Sequence, residues 1–305
     1  MDVYLPIAEI SINALILLGL GGAVGFLSGL FGVGGGFLMT PLLIFLGVPP
    51  AVAVGTGTNL VVASSVSGLM AHWRRRNVDF KMALLILSGG VAGAGLGIWL
   101  FDLLRAAGHL NEVVALLYVV FLGSIGVLMG VESVSKLIRR RGRVVPRRAH
   151  THNWVHGLPF KMRFRRSKLY VSAVPPAAVG LFTGMLATIM GVGGGFVMVP
   201  ALIYIVGMPT GVVIGTSLLG ILAVSIASCF AHAMASQTVD ITLALLLAAG
   251  AVIGAQYGSK IGTRLRSEHL RMLLALMVLS VCGRLVVELV ATPDDPFSIE
   301  ILGLP

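Results

Sequence analysis

Charged residues are scarce in this sequence. They make up 11% of 305 positions, against roughly 25% in a soluble globular domain. With 57% hydrophobic residues and a mean hydropathy of +0.98, the shortage excludes a water-soluble globule and points to a polytopic helical membrane protein. Cysteine is nearly absent: Cys229 and Cys282 stand singly in apolar runs. That excludes a disulfide framework and a cysteine-based metal cluster, and both thiols read as core filler. The acidic side is thin as well, 12 Asp and Glu against 22 Lys and Arg. The first apolar run lacks a basic n-region and has Asp2 and Glu9 near it, so no cleaved signal peptide is expected. At membrane depth the sequence offers no nucleophile–base pair and no set of metal ligands. Neither an enzyme, a cofactor nor a metal site is therefore expected.

Glycine, by contrast, is abundant, 40 residues, and its arrangement organises the chain. Gly32-Val33-Gly34-Gly35-Gly36-Phe37-Leu38-Met39-Thr40-Pro41 returns as Gly191-Val192-Gly193-Gly194-Gly195-Phe196-Val197-Met198-Val199-Pro200, with eight of ten positions identical. Both copies sit inside apolar runs. Clustered glycine disfavours helix and reaches backbone angles closed to other residues, so each copy should break a membrane helix. A short apolar piece follows each, Phe37–Gly47 and Phe196–Val206. At about 1.5 Å per residue such a piece covers roughly half a bilayer core. Each break then presents the free N–H groups of a half-helix near mid-membrane, where an anion can use them. The motif is not a dinucleotide fingerprint, since no strand precedes it and no acidic residue follows at the required distance.

Apolar runs of spanning length lie near Ile12–Phe31, Ala51–His72, Met82–Leu103 and Glu112–Lys136, and again near Tyr170–Met190, Gly211–Ala235, Ile241–Thr263 and His269–Ala291. The expected architecture is all-α: about eight full transmembrane helices plus two half-helices. The halves match beyond the glycine motif. Gly21 and Gly25 correspond to Gly180 and Gly184, Gly55-Thr56 to Gly215-Thr216, His72 to His232, Val78-Asp79 to Val239-Asp240, and Gly93, Ala94 and Gly97 to Gly254, Ala255 and Gly258. Residues 1–136 and 169–305 therefore read as two repeats, joined by a basic linker, 137–168. Glycines at every fourth position, such as Gly21, Gly25, Gly29 or Gly250, Gly254, Gly258, line one helix face and let backbones touch.

Twenty of the 22 basic residues fall in three clusters, at Arg74–Lys81, Lys136–Lys168 and Lys260–Arg271. All three lie on the cytoplasmic side if each half has three crossings after its first hairpin. This places both termini outside a cell inner (plasma) membrane. It sets the linker, with His150, His152 and His156, against anionic headgroups rather than nucleic acid or a metal. An odd number of crossings then relates equivalent points, so the repeats are inverted, an arrangement shared with secondary transporters that bind substrate at the repeat interface.

The candidate substrate ligands are the main-chain N–H groups of Gly34, Gly35, Gly36 and Phe37 and of Gly193, Gly194, Gly195 and Phe196. Neutral side chains of Thr56, Asn59, Thr216 and Ser217 complete the shell, while Thr40, facing Val199 in the second copy, ranks lower. A helix dipole returns about 0.3–1 kcal/mol to an anion, whereas hydrogen bonds to a charge return about 1.5–3 each, so the N–H groups carry the site. His72 and His232 are candidates for proton exchange against a plainer role as interfacial anchors. Asp79 and Asp240 read as helix caps, and Arg284–Glu288 and Glu132–Lys136 as ion pairs at four-residue spacing.

The doubled Gly-Val-Gly-Gly-Gly-Phe with its later proline, Gly55-Thr56 and Gly215-Thr216, and the Asp79 and Asp240 loops together resemble the TauE/SafE sulfite-exporter family of membrane permeases, over nearly the whole chain. The resemblance implies export of sulfite, organosulfonates or related sulfur anions. It makes Gly32, Gly34–Gly36, Gly191 and Gly193–Gly195 central. Leu219 stands where the first copy has Asn59, so that position is not expected to work symmetrically. The rival expectations are an anion channel, or a transporter of a carboxylate, a thiol compound or a cation.

Overall fold

The computed structural model describes residues 2–31, 35–74, 78–139, 160–164, 166–167, 169–262 and 267–290. The chain is an all-α polytopic membrane protein to which two small β-hairpins are added. The first half runs β1 (Asp2–Leu5), β2 (Ile10–Asn13), α1 (Ala14–Phe31), α2 (Gly36–Phe45), α3 (Pro50–Arg74), α4 (Phe80–Ala106) and α5 (Leu110–Arg139). The second runs β3 (Lys161–Phe164), β4 (Leu169–Ser172), α6 (Val174–Met190), α7 (Gly195–Tyr204), α8 (Thr210–Ala231) with a π-turn over His232–Ser236, α9 (Ile241–Gly262) and α10 (Ser267–Val290). The short helices α2 and α7 have ten residues each, or about 15 Å of rise. They begin within a residue of the expected positions.

One helix boundary changes. The run from Tyr170 to Met190 is not one helix: Leu169–Ser172 pairs with Lys161–Phe164, and the helix starts at Val174, with Pro175 and Pro176 in its first turn. Proline suits that place because the first-turn N–H groups have no intrahelical partner. Five described stretches are long and apolar enough to span a bilayer, Pro50–Met70, Phe80–Ala106, Leu110–Leu128, Val212–Ser236 and Ile241–Gly258. The apolar helical stretches of α1, α6 and α10 are shorter, Ala14–Leu30, Val174–Met190 and Ala275–Val287. In α6 the glycine motif itself ends the helix, at Gly191.

The two halves are interlaced. Helix α1 packs along α9, and α6 packs along α4; α3 lies against α8, and α5 against α10. The glycine rows explain the tightest pairs. A Cβ placed on Gly21, Gly25 or Gly29 would lie 2.4, 2.3 and 2.3 Å from the carbonyl oxygens of Leu247, Ala251 and Ala255. On Gly89 or Gly93 it would lie 2.0 Å from those of Ala177 and Leu181. Main chain meets main chain in both pairs, as small-residue stripes allow. Outward faces carry exposed large apolar side chains, among them Leu84, Trp99, Leu128, Leu245, Ile253 and Leu276. Lipid is a suitable solvent for such faces.

Each hairpin docks onto the opposite half. Asp79 caps α4, its Oδ1 accepting from Met82 N–H at 3.4 Å, while Oδ2 accepts from the Ser167 N–H at 3.0 Å and hydroxyl at 2.8 Å. Asp240 does the same for α9: Oδ1 accepts from Leu243 N–H at 3.1 Å and Oδ2 from Ile7 N–H at 3.0 Å. Both aspartates are buried. Asp240→Ala is expected to lower stability by about 2–4 kcal/mol, from a lost cap and a lost charge-assisted bond that strands buried donors. Asp240→Asn, which keeps a side-chain acceptor, should lose about half as much. Thermal unfolding in detergent checks the order, and equal midpoints for wild type and Asp240→Ala would refute it.

Candidate functional site

The site is built where the two broken helices meet. Helix α6 ends at Gly191, whose φ is 71°, and whose N–H still completes a helical bond to Ala187 at 2.8 Å. The chain turns through Gly193 and Gly194, with φ of 72° and 69°, and α7 begins at Gly195. In the first half Gly35 holds the position equivalent to Gly194, with φ of 70°, just before α2. Only glycine takes this left-handed angle without strain. It is also the residue that fits: a Cβ on Gly194 would lie 2.8 Å from the Thr183 carbonyl oxygen. Gly34, the third candidate glycine of the first copy, lies outside the described residues, as do Gly32 and Val33.

The two breaks converge on one side chain. Val61 lies midway along α3, and a Cβ on Gly36 would meet its Cγ2 at 2.2 Å, while one on Gly193 would meet its Cγ1 at 2.3 Å. Gly36 also faces the Val192 carbonyl, 2.9 Å from the same Cβ position. The Phe37 and Phe196 rings, which open the half-helices, stand 6.2 Å apart. Residues from repeats about 160 positions apart in sequence thus surround one valine at mid-helix depth. In α2 and α7 the first N–H groups lack intrahelical acceptors by geometry, and they start at this junction. Pro41 and Pro200, the sixth residues of α2 and α7, remove a further helical donor from each.

The carbonyl end of the broken α6 is held by two buried side chains. The Tyr118 hydroxyl of α5 donates to the Met190 carbonyl at 2.6 Å. His232 Nε2 lies 2.8 Å from the Thr188 carbonyl, and Nδ1 lies 3.4 Å from the Thr238 hydroxyl. A carbonyl can only accept, so Nε2 carries the ring proton and Nδ1 is left to accept. His232 is wholly buried and stacks edge-on against Phe101. It is not an interfacial anchor; its contacts are those of a residue that fixes the end of α6. The His72 side chain lies outside the described residues.

Each hydroxyl chosen from sequence makes a hydrogen bond within the protein. Thr56 Oγ1 accepts from the Asp240 N–H at 3.1 Å, and Thr216 Oγ1 accepts from the Asp79 N–H at 3.0 Å. These two bonds tie each half to the other's capping aspartate. Ser217 donates to the Ile214 carbonyl at 3.0 Å, the local bond that serines often make within helices. Asn59 sits in α3, where its Oδ1 accepts from the Cys229 thiol at 2.9 Å; its Nδ2 is buried without a partner among the described residues. Four further hydroxyls share that condition: Thr40, Ser65, Ser225 and Ser228. Sequence reasoning passed over the three serines. Ser65 and Ser225 are separated by the same 160 positions as His72 and His232, which was the available signal. Arg284 stacks over the Phe45 ring at 4.5 Å. Its proposed partner Glu288, and the Glu132–Lys136 pair, have side chains outside the described residues.

Comparison with known proteins agrees with this architecture. The sulfite exporter TauE/SafE family matches residues 17–285. A probable membrane transporter protein of Xylella fastidiosa is 32% identical over 261 residues, covering 85% of this chain and 88% of its own length. A probable membrane transporter protein of Bacillus subtilis is 29% identical over 269 residues, 87% of this chain and 96% of its own. A TauE/SafE family protein of Arabidopsis thaliana is 34% identical over 73 residues, 24% of this chain and 15% of its own. No solved structure matches the chain. A match across most of the chain, together with the repeated glycine breaks and multi-pass helical architecture, identifies this protein as a member of the TauE/SafE sulfite exporter family of membrane transporters.

Proposed function

We propose that this chain is a secondary transporter that exports small sulfur-containing anions such as sulfite or organosulfonates. The observation that carries the reading is the meeting of both glycine breaks on Val61, halfway along α3. N–H groups of Gly35, Gly36 and Phe37 and of Gly193, Gly194, Gly195 and Phe196 hold the anion. Main-chain amides in turns with left-handed residues form concavities suited to anions, and half-helix starts add to them. The two halves are inverted repeats, and rocking of one against the other exposes the site to each side in turn. The basic clusters keep the linker cytoplasmic and both termini outside.

The neutral character of the ligands sets the affinity. Several amide bonds at about 1.5–3 kcal/mol each oppose a desolvation cost of several kcal/mol, with no paired cation to add to them. Binding no tighter than about 1 μM is expected, which favours release. The test is flux in proteoliposomes over a panel of sulfite, thiosulfate, ethanesulfonate, acetate and chloride. Saturable flux of a sulfur anion, with counterflow, is the expected result. Movement of none of the sulfur anions would remove the substrate assignment, and flux without counterflow would make the protein a channel.

A further inference from the structure

We propose that the Ser225 hydroxyl, with Thr40 across from it, donates a hydrogen bond to the transported anion at the second glycine break. The proposal rests on the transport reading above, adds Ser225 to the ligands picked from sequence and promotes Thr40, which ranked lower there.

Serine and threonine in helices have a local outlet, the carbonyl three or four residues back. Several buried hydroxyls here take it. Thr58 donates to Gly55 at 2.7 Å, Ser64 to Val61 at 3.2 Å, Thr183 to Val179 at 2.7 Å and Thr188 to Gly184 at 3.0 Å. Ser225 and Thr40 do not. Both are fully buried, and neither hydroxyl has a hydrogen-bond partner among the described residues. The Tyr118 hydroxyl donates to the Met190 carbonyl and has only its oxygen to offer Thr40 as an acceptor, so Ser225 is the less committed of the two hydroxyls. A hydroxyl left so in a protein interior is costly, and such groups mark a place where another partner is met.

Their position says which partner. Ser225 Oγ stands 3.0 Å from where a Cβ of Gly193 would sit, beside the Val61 side chain. Thr40 Oγ1 stands 3.0 Å from the corresponding point on Gly191 and 2.9 Å from that on Gly57. One hydroxyl comes from α8 and the other from α2, so they flank the turn that leads into α7. The carboxylates of Asp79 and Asp240 are committed to caps and hairpins. Neutral O–H and N–H donors from separate directions suit an anion with several oxygens, such as a sulfonate, better than a halide or a cation. The site is also asymmetric. Ser225 has a counterpart in Ser65, one turn beyond Val61 on the same face of α3, but Thr40 faces Val199 in the other repeat.

The test uses the full-length protein in proteoliposomes and in detergent, with ethanesulfonate and sulfite as probes. Ser225→Ala is expected to raise KM about tenfold and to shrink the anion-dependent rise in melting midpoint. Its ligand-free midpoint should stay level or rise, because an unpaired buried hydroxyl has been removed. Thr40→Val, which copies Val199, should act in the same direction. Ser280→Ala, whose exposed hydroxyl donates only to the Met277 carbonyl, should leave both readouts unchanged. An unaltered KM and ligand shift in both Ser225→Ala and Thr40→Val would overturn the proposal. So would a lower ligand-free midpoint with unchanged KM, the signature of a purely structural role. Wild-type flux of a different anion whose KM rises tenfold in Ser225→Ala would keep the ligand and replace the substrate class. A wild type that moves no anion would end both.

Discussion

Gly93→Ala and Gly254→Ala should each destabilise the protein by about 3 kcal/mol or more, the upper range for overpacking. The Cβ added at Gly93 would lie 2.0 Å from the Leu181 carbonyl oxygen, and that at Gly254 would lie 2.0 Å from the Gly22 oxygen and 2.7 Å from the Phe26 nitrogen. Neither obstacle is a side chain that can swing aside. Relief requires moving α4 off α6, or α9 off α1, along the whole stripe. Gly95→Ala is the matched comparison: it lies in the same helix, with nothing within 4 Å of its added Cβ. There the exchange should be neutral or stabilising by up to about 1 kcal/mol through helix propensity. Thermal midpoints in detergent should separate the variants, with a fall of roughly 5 °C or more for Gly93→Ala and none for Gly95→Ala. Equal midpoints would mean that the helix pairs are not held by backbone contact.

Gly194→Ala should abolish most transport while leaving a folded protein. Its φ of 69° lies in the left-handed region, where an alanine costs about 1–2 kcal/mol. The new methyl would also press on Thr183, at 2.8 Å from its carbonyl oxygen and 3.0 Å from its Cβ. The easiest escape is to turn the start of α7, which re-aims the N–H groups of Gly195 and Phe196. A change of a few tenths of an ångström in several bonds to one charge should lower flux at least tenfold, about 1.4 kcal/mol. Gly207→Ala supplies the comparison, because Gly207 has φ of 78° but open space around the added Cβ, at the far end of the same half-helix. It shares the backbone strain without the site. Comparable flux in the two variants would show that the geometry of the break has no part in transport.

The glycine motif was legible because it is a local signal. Ten-residue copies in apolar runs announced two breaks, and α2 and α7 start within one residue of where the breaks imply. The caps at Asp79 and Asp240 were equally local, since each accepts from an N–H three residues on. The β-hairpins were not legible. Four-residue strands such as Lys161–Phe164 are too short to show a period, and Ile10–Asn13 overlaps the start of an apolar run. Only in the fold does their equivalence emerge, as Leu5 and Phe164 occupy matching buried places 159 residues apart. The bonds that Thr56 and Thr216 make were hidden for a related reason. A hydroxyl next to a glycine in a membrane helix looks free, and nothing local reveals an acceptor role toward an N–H 184 or 137 positions away.

Composition and periodicity by themselves determined that this chain lives in a bilayer, where its helices run and where two of them must fail. A bilayer demands satisfied backbone over a set length, and glycine withholds helix wherever it clusters, so both facts are written residue by residue. Only the tertiary structure decided that α1 would seek α9 and α6 would seek α4, that both breaks would close on Val61, and which buried hydroxyls would be left without a bond. The two helix pairings depend on contacts between residues 88 to 232 positions apart, chosen by packing rather than by neighbours in sequence.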